Sequence, residues 1–170
     1  ILRRAGDWLP LSPVPRELQS VNMIRFRDDG ELWIGTNHGL LLFRPQFAYA
    51  DVVVVDENPA SRRVHAVIER PDESIWTATG RGIGIEHPDG RREFVESIGE
   101  TALHSVTAMA EDGFGNVWIG SGSGFDGMFR WDGSAWHRHF AGDETIFVHR
   151  ISIGADGAPW FMCIGGGAPS

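Results

Sequence analysis

Lysine is absent from the 170 residues: all fifteen basic side chains are arginine, set against twenty-three Asp and Glu, for a formal net charge of −8. A surface with that balance repels a polyanion, which argues against nucleic acid as a partner. Long apolar runs are missing too. A clean one such as Val52-Val53-Val54-Val55 falls far short of the roughly 18 to 20 residues that span a bilayer, so no transmembrane helix is expected in these residues. The lone Cys163 has no internal disulfide partner and sits in an apolar run, so it reads as a small buried hydrophobe. The start, Ile1-Leu2-Arg3-Arg4, has neither an initiator Met nor the layout of a secretion signal; any targeting segment is expected to lie outside these residues. Helical periodicity is also lacking. No window of ten or more residues repeats its apolar positions every 3.6, which excludes a helical solenoid.

What is present is a repeat. The segments Glu31-Leu32-Trp33-Ile34-Gly35-Thr36, Ser74-Ile75-Trp76-Thr77-Ala78-Thr79, Asn116-Val117-Trp118-Ile119-Gly120-Ser121 and Ala158-Pro159-Trp160-Phe161-Met162-Cys163 place a Trp at intervals of 43, 42 and 42 residues. Twelve residues before each Trp stands a Val (Val21, Val64, Val106, Val148), and six after each stands a Gly (Gly39, Gly82, Gly124, Gly166). Self-similarity at such a period marks a repeat architecture. Between Val and Trp lies a turn signal: Asp28-Asp29-Gly30, Pro71-Asp72-Glu73, Asp112-Gly113-Phe114-Gly115 or Asp156-Gly157. Asp and Gly accept the φ > 0 geometry of a tight hairpin. Short apolar runs flank that turn, a third run follows the Gly and a weaker fourth follows that. Four strands per repeat is the blade of an all-β propeller. Trp33, Trp76, Trp118 and Trp160 then read as the structural core of the repeat, each filling the gap between neighbouring twisted sheets.

Laid over one another, the copies give Val-x-x-apolar, an Asp/Gly turn, apolar-Trp-Ile-Gly-Thr/Ser and Gly-apolar. This resembles the two-component regulator propeller repeat, best in Val21 to Phe43 and Val106 to Trp131. The second copy departs at Glu73 and Ala78, where that pattern prefers Gly, and the fourth has Met162-Cys163 in place of Gly-Thr. The resemblance implies a seven-bladed propeller in the periplasmic or extracellular sensing part of a membrane-bound regulator. Residues 1–20 are expected to supply the outer strand of a preceding blade, with a lone strand over 7–13. Blades are expected over 21–63, 64–105 and 106–147, and a partial blade over 148–170. The chain then reads as part of a larger propeller of about seven blades; a four-bladed ring with a damaged last blade is the alternative.

Propellers bind at the mouth of the central channel, where the loops entering the innermost strand meet those joining the second strand to the third. Fold geometry therefore nominates the residue after each leading Val: Asn22, His65, Thr107 and His149. The second-to-third-strand loops add His38 with Asn37, Arg81, and Asp126 with Ser123. The same polar residues also suit a solvated channel. His65 and His149 have no accompanying carboxylate spacing, so no metal is expected, and the Asp/Gly turns lack the carboxylate density of a calcium loop. The basic-aromatic stretch Trp136-His137-Arg138-His139 reads as a solvated outer edge. Ser121-Gly122-Ser123-Gly124 opens no helix, so it does not cradle phosphate.

No catalytic constellation and no cofactor motif appears. The expected function is a non-catalytic sensory propeller for a small molecule, a glycan or another protein. A structural subunit of a larger assembly is the alternative. A second alternative is an enzyme, because Ile151 to Phe161 also resembles the repeat of streptogramin lyases; that likeness is to the scaffold, and no catalytic His or Glu maps onto this sequence.

Overall fold

The computed structural model describes residues 2–4, 7–9, 20–44, 49–53, 58, 62–139 and 145–165. Every regular element among the described residues is a strand. Strands β1 (Leu2–Arg4) and β2 (Asp7–Leu9) form an antiparallel hairpin. The stretch 7–13 therefore contributes a strand that pairs with β1; residues 10–19 lie outside the described residues. Then come β3 (Val21–Phe26), β4 (Leu32–Thr36), β5 (Gly39–Arg44) and β6 (Tyr49–Val53), paired in that order as one antiparallel sheet. The second sheet is β7 (Val64–Glu69), β8 (Ile75–Thr79), β9 (Ile83–Glu86) and β10 (Arg92–Val95). A small hairpin of β11 (Ser97–Ile98) and β12 (Thr101–Ala102) leads to the third sheet. That sheet is β13 (Ala108–Glu111), β14 (Val117–Gly120), β15 (Met128–Trp131) and β16 (Trp136–His139). The last two strands, β17 (Ile146–Ile153) and β18 (Pro159–Gly165), pair with each other. Three four-stranded blades and the inner half of a fourth are thus set side by side, with β3, β7, β13 and β17 innermost.

The recurring landmarks join one blade to the next. Val64, Val106 and Val148 are fully buried. The N–H of Val106 donates to Thr79 O at 3.0 Å, and that of Val148 to Ser121 O at 2.8 Å, so the leading Val of one blade is stitched to the residue three past the Trp of the blade before. Gly120 permits this approach: a Cβ there would lie 2.5 Å from Val148 Cβ. The second copy has Ala78 at the matching place, buried in the cluster that holds Val106, Leu103 and Phe129. The Thr or Ser at the stitch also closes the turn to the third strand. Thr79 Oγ1 donates to Gly82 O, and Ser121 Oγ accepts the N–H of Gly124 at 2.6 Å. Gly82 is required there, since a Cβ would stand 2.2 Å from Val95 O and φ is +154°. The fourth landmark glycine, Gly166, lies outside the described residues.

Trp33 and Trp76 are buried as the repeat predicts. Trp33 packs on Val67 and Ile75 of the second blade. Trp76 meets Trp131 and Trp136 of the third, with ring centroids 6.5 and 6.3 Å apart. Trp118 is half-buried and meets Phe161 edge-on at 5.2 Å. The cation–π stacking of Arg27 on Trp33, Arg70 on Trp76 and Arg130 on Trp118 recurs in the three complete blades. Trp160 differs. It is 68% exposed, and Met162 and Ile164, which share its side of the strand, are exposed with it. No further sheet packs on that face among the described residues. Cys163 is exposed as well, not buried, because β18 has no third strand beside it among the described residues. At the other end of the arc Val21, Ile24 and Phe26 are exposed, whereas their counterparts Val64 and Val67 are buried against the first blade.

Candidate functional site

Three of the four inner strands share an irregularity at the candidate site. In β3 the pairing with β4 slips between Val21 and Met23; in β7 it slips between Val64 and Ala66; in β17 it slips between Val148 and Arg150. The residue skipped in each case is the one after the leading Val: Asn22, His65 and His149. A bulge frees one residue from the ladder and re-aims its side chain. In the third blade Thr107 occupies the same place, ahead of the regular pairing that starts at Ala108.

These four residues, Asn22, His65, Thr107 and His149, line one cavity of about 470 Å³ on the inner wall. Asn22 Nδ2 donates to Asn37 Oδ1 and to Val64 O, each at 3.1 Å, which ties the first mouth loop to the second blade. Thr107 Oγ1 accepts the N–H of Gly122 at 2.9 Å, which leaves its own O–H to give. The His149 ring packs on Gly122, where a Cβ would come within 2.9 Å of two ring atoms. His65 is half-buried; burial, reinforced by the nearby Arg63 charge, pushes its pKa below the usual histidine value. The mouth is thus polar and close to its loops, with one imidazole held neutral near pH 7.

The five loop residues nominated with them, Asn37, His38, Arg81, Ser123 and Asp126, do not line this cavity. His38 lies in the turn whose backbone N–H is held by Thr36 Oγ1. Arg81 reaches outward to Glu96 at 2.5 Å and over the Phe94 ring. Asp126 accepts the N–H of Ile146 at 2.6 Å, fixing the entry to β17. Two arginines that the repeat gave no reason to single out do line it: Arg25, which donates to Val67 O across the blade boundary at 2.9 Å, and Arg150. Neither position holds Arg in the other copies, so recurrence could not find them. The readable signal was the three-residue step from Val21 to Ile24 ahead of the two-residue step to Phe26, which breaks strand alternation where the bulge falls.

Elsewhere the acidic turns bind their own backbone. Asp112 Oδ1 accepts the N–H groups of Phe114 and Asn116, and Oδ2 accepts Trp118 Nε1 at 2.7 Å. Burial raises the Asp112 pKa, but the bonds from Trp118, Asn116 and Phe114 outweigh it and hold the carboxyl below its ordinary value. Asp132 is likewise lowered, first by the backbone N–H groups of Ala135 and Ser134. Among the described residues no three His, Cys, Asp or Glu side chains gather as a metal site.

Successive four-stranded antiparallel blades around an inner wall define a β-propeller. Within it, residues 102–123 match the two component regulator propeller family. None of the curated proteins compared with the sequence matches it. Among solved structures it is similar to the extracellular domain of the hybrid two component system BT4673 from B. thetaiotaomicron, with a TM-score of 0.65 and 17% identity over 85% of this chain and 20% of that one. It is similar to virginiamycin B lyase from Staphylococcus aureus, solved with quinupristin, at a TM-score of 0.68 and 16% identity over 87% of this chain and 50% of the lyase. PorZ, a surface component of the type-IX secretion system of Porphyromonas gingivalis, matches at a TM-score of 0.58 and 17% identity over 84% of this chain and 24% of PorZ. At these identities the likeness is one of fold, and this chain spans between a fifth and a half of each structure's length.

Proposed function

We propose that the chain is part of a non-catalytic sensory propeller that takes a small molecule, a glycan or a protein segment at its channel mouth, outside the cytoplasm. The observation that carries this reading is the convergence on one cavity of Asn22, His65 and His149, each skipped at a bulge, with Thr107 from the third blade. The regulator-propeller repeat and the likeness to an extracellular sensor domain support it. The enzymatic alternative rests on scaffold likeness to the lyase alone. The assembly alternative has its own support in the exposed apolar faces at the two ends of the arc and in the likeness to a secretion-system component.

The test is a thermal-shift screen of the full chain against soluble small molecules and oligosaccharides, repeated with His65→Ala and Thr107→Val. The sensory reading expects a ligand whose stabilisation disappears in both variants while the unliganded melting temperature stays within a few degrees. Stabilisation that survives both substitutions would move binding away from the mouth.

A further inference from the structure

We propose that the cavity at the channel mouth takes a compact anion, a small molecule bearing a carboxylate, phosphate or sulfate group; this rests on the binding reading above and names its ligand class. The wall offers Arg25, Arg150, His65 and His149, and no Asp or Glu lines the cavity. That composition runs against the chain as a whole, which holds twenty-three acidic residues to fifteen basic ones. Arg63 adds a third guanidinium close enough for its charge to act on His65.

The donors are available. Arg25 spends one N–H on Val67 O at 2.9 Å, and its planar fork has others to offer a two-oxygen acceptor. Arg150 is exposed and makes no hydrogen bond or ion pair among the described residues. Thr107, already accepting from Gly122, can donate its hydroxyl proton. Glu111, whose carboxyl feels the Arg25 charge, is engaged by Arg70 at 3.6 Å. A cavity of about 470 Å³ is within the range of roughly 300 to 1,000 Å³ that small-ligand sites occupy. Oxyanions bind arginine through paired, charge-assisted bonds that a neutral molecule of the same shape cannot form.

The experiment is calorimetric titration of the full chain with glucuronate, glucose 6-phosphate and glucose, which share a ring and differ in the charged group. At least one of the two anions should bind at least tenfold more tightly than glucose, and raising NaCl should weaken it. Which anion binds separates a carboxylate ligand from a phosphate one. Arg150→Gln, which removes no bond seen among the described residues, and Arg25→Gln should each lower that affinity by fivefold or more. Glucose binding equal to that of the anions, and lost in His65→Ala, would overturn the anionic class and leave the channel-mouth reading standing. Anion binding untouched by both Arg substitutions would place the anion elsewhere and overturn the proposal. Binding by none of the three would overturn it as well, whereas the screen described above would still judge the broader reading on other ligands.

Discussion

Glu73 sits at φ 64°, in the turn position that Gly30, Gly115 and Gly157 hold at φ 82°, 82° and 80°. A residue with a Cβ is disfavoured there by about 1–2 kcal/mol, and glycine gives back about 0.5–1 through its greater freedom when unfolded. Glu73→Gly should therefore raise stability by about 0.5–1 kcal/mol, read as a higher urea midpoint at unchanged m. A lower midpoint would mean that the Glu73 side chain contributes more than its backbone costs. This departure was visible in the sequence, because three copies of four place Gly at that point. The bulge at the far end of the same hairpin, between Val64 and Ala66, is not legible there, because the repeat fixes which residues recur and not how they pair across strands. The histidines make a second case. The folded pKa of His65 is lowered by burial and then Arg63, and that of His139 by burial and then the Arg130 and His137 charges. A lowered folded pKa means the unfolded chain takes up the proton first. Stability should be full above about pH 6.5 and fall as pH drops below it toward the folded values. The melting temperature should decline from pH 7.5 to pH 5.5, and the double variant His65→Gln with His139→Gln should flatten that slope.

At the scale of elements, each turn from second to third strand hangs on one hydroxyl. Ser121 is fully buried; its Oγ donates to Ser105 O at 2.7 Å and accepts the N–H groups of Ser123 and Gly124. Ser121→Ala would leave those backbone groups unpaired, which costs about 1–3 kcal/mol, and Ser121→Thr should restore most of it. Guanidinium unfolding of the two variants measures this directly. The strands that such turns connect were legible because apolar runs and Asp/Gly signals alternate at a constant period. The hairpin of β11 and β12 was not. It holds only two residues per strand and turns at Gly99, φ 57°, so it has no room for an alternating pattern. Among the candidate site residues the same division holds. Those on the inner strand, Asn22, His65, Thr107 and His149, were found by recurrence and share one cavity. His38, Arg81 and Asp126 sit in loops, where neighbours such as Glu96 and Ile146 decide their direction, and sequence position gives no view of those.

For the whole molecule, the arc has two apolar ends that are not alike. One carries Trp160, Met162 and Ile164; the other carries Val21, Ile24 and Phe26. By repeat equivalence they are the two halves of the joint that buries Trp33 against Val64 and Val67 between the first and second blades. Such faces left open promote head-to-tail association. Residues 1–170 prepared alone should sediment as concentration-dependent oligomers. Replacing Trp160, Met162 and Ile164 with Ser, Gln and Thr should return them to monomer without altering the circular dichroism of the strands. A monomer at every concentration before any replacement would show that the ends are covered within the chain. The repeat made the blades legible at this scale. It did not foretell that Trp160 and Cys163 stand in solvent, since a core position is a core position only when the neighbour that covers it is present.

The bulge after three of the four leading Val residues also separates two kinds of constraint. Residues in the ladder answer to the strand opposite and to the blade behind. The skipped residue stands outside the ladder, since Asn22, His65 and His149 fall between paired positions, and contacts such as Asn22 to Val64 O and His149 against Gly122 are made by the side chain. Exchanging these side chains alters no ladder bond directly, while it changes the contacts that Asn22 makes with Val64 O and His149 makes with Gly122. The inner wall is thus a fixed frame with one side chain set apart from the ladder at each bulge, and the proposed channel-mouth site would change its ligand preference at those places while the folding instructions stay the same.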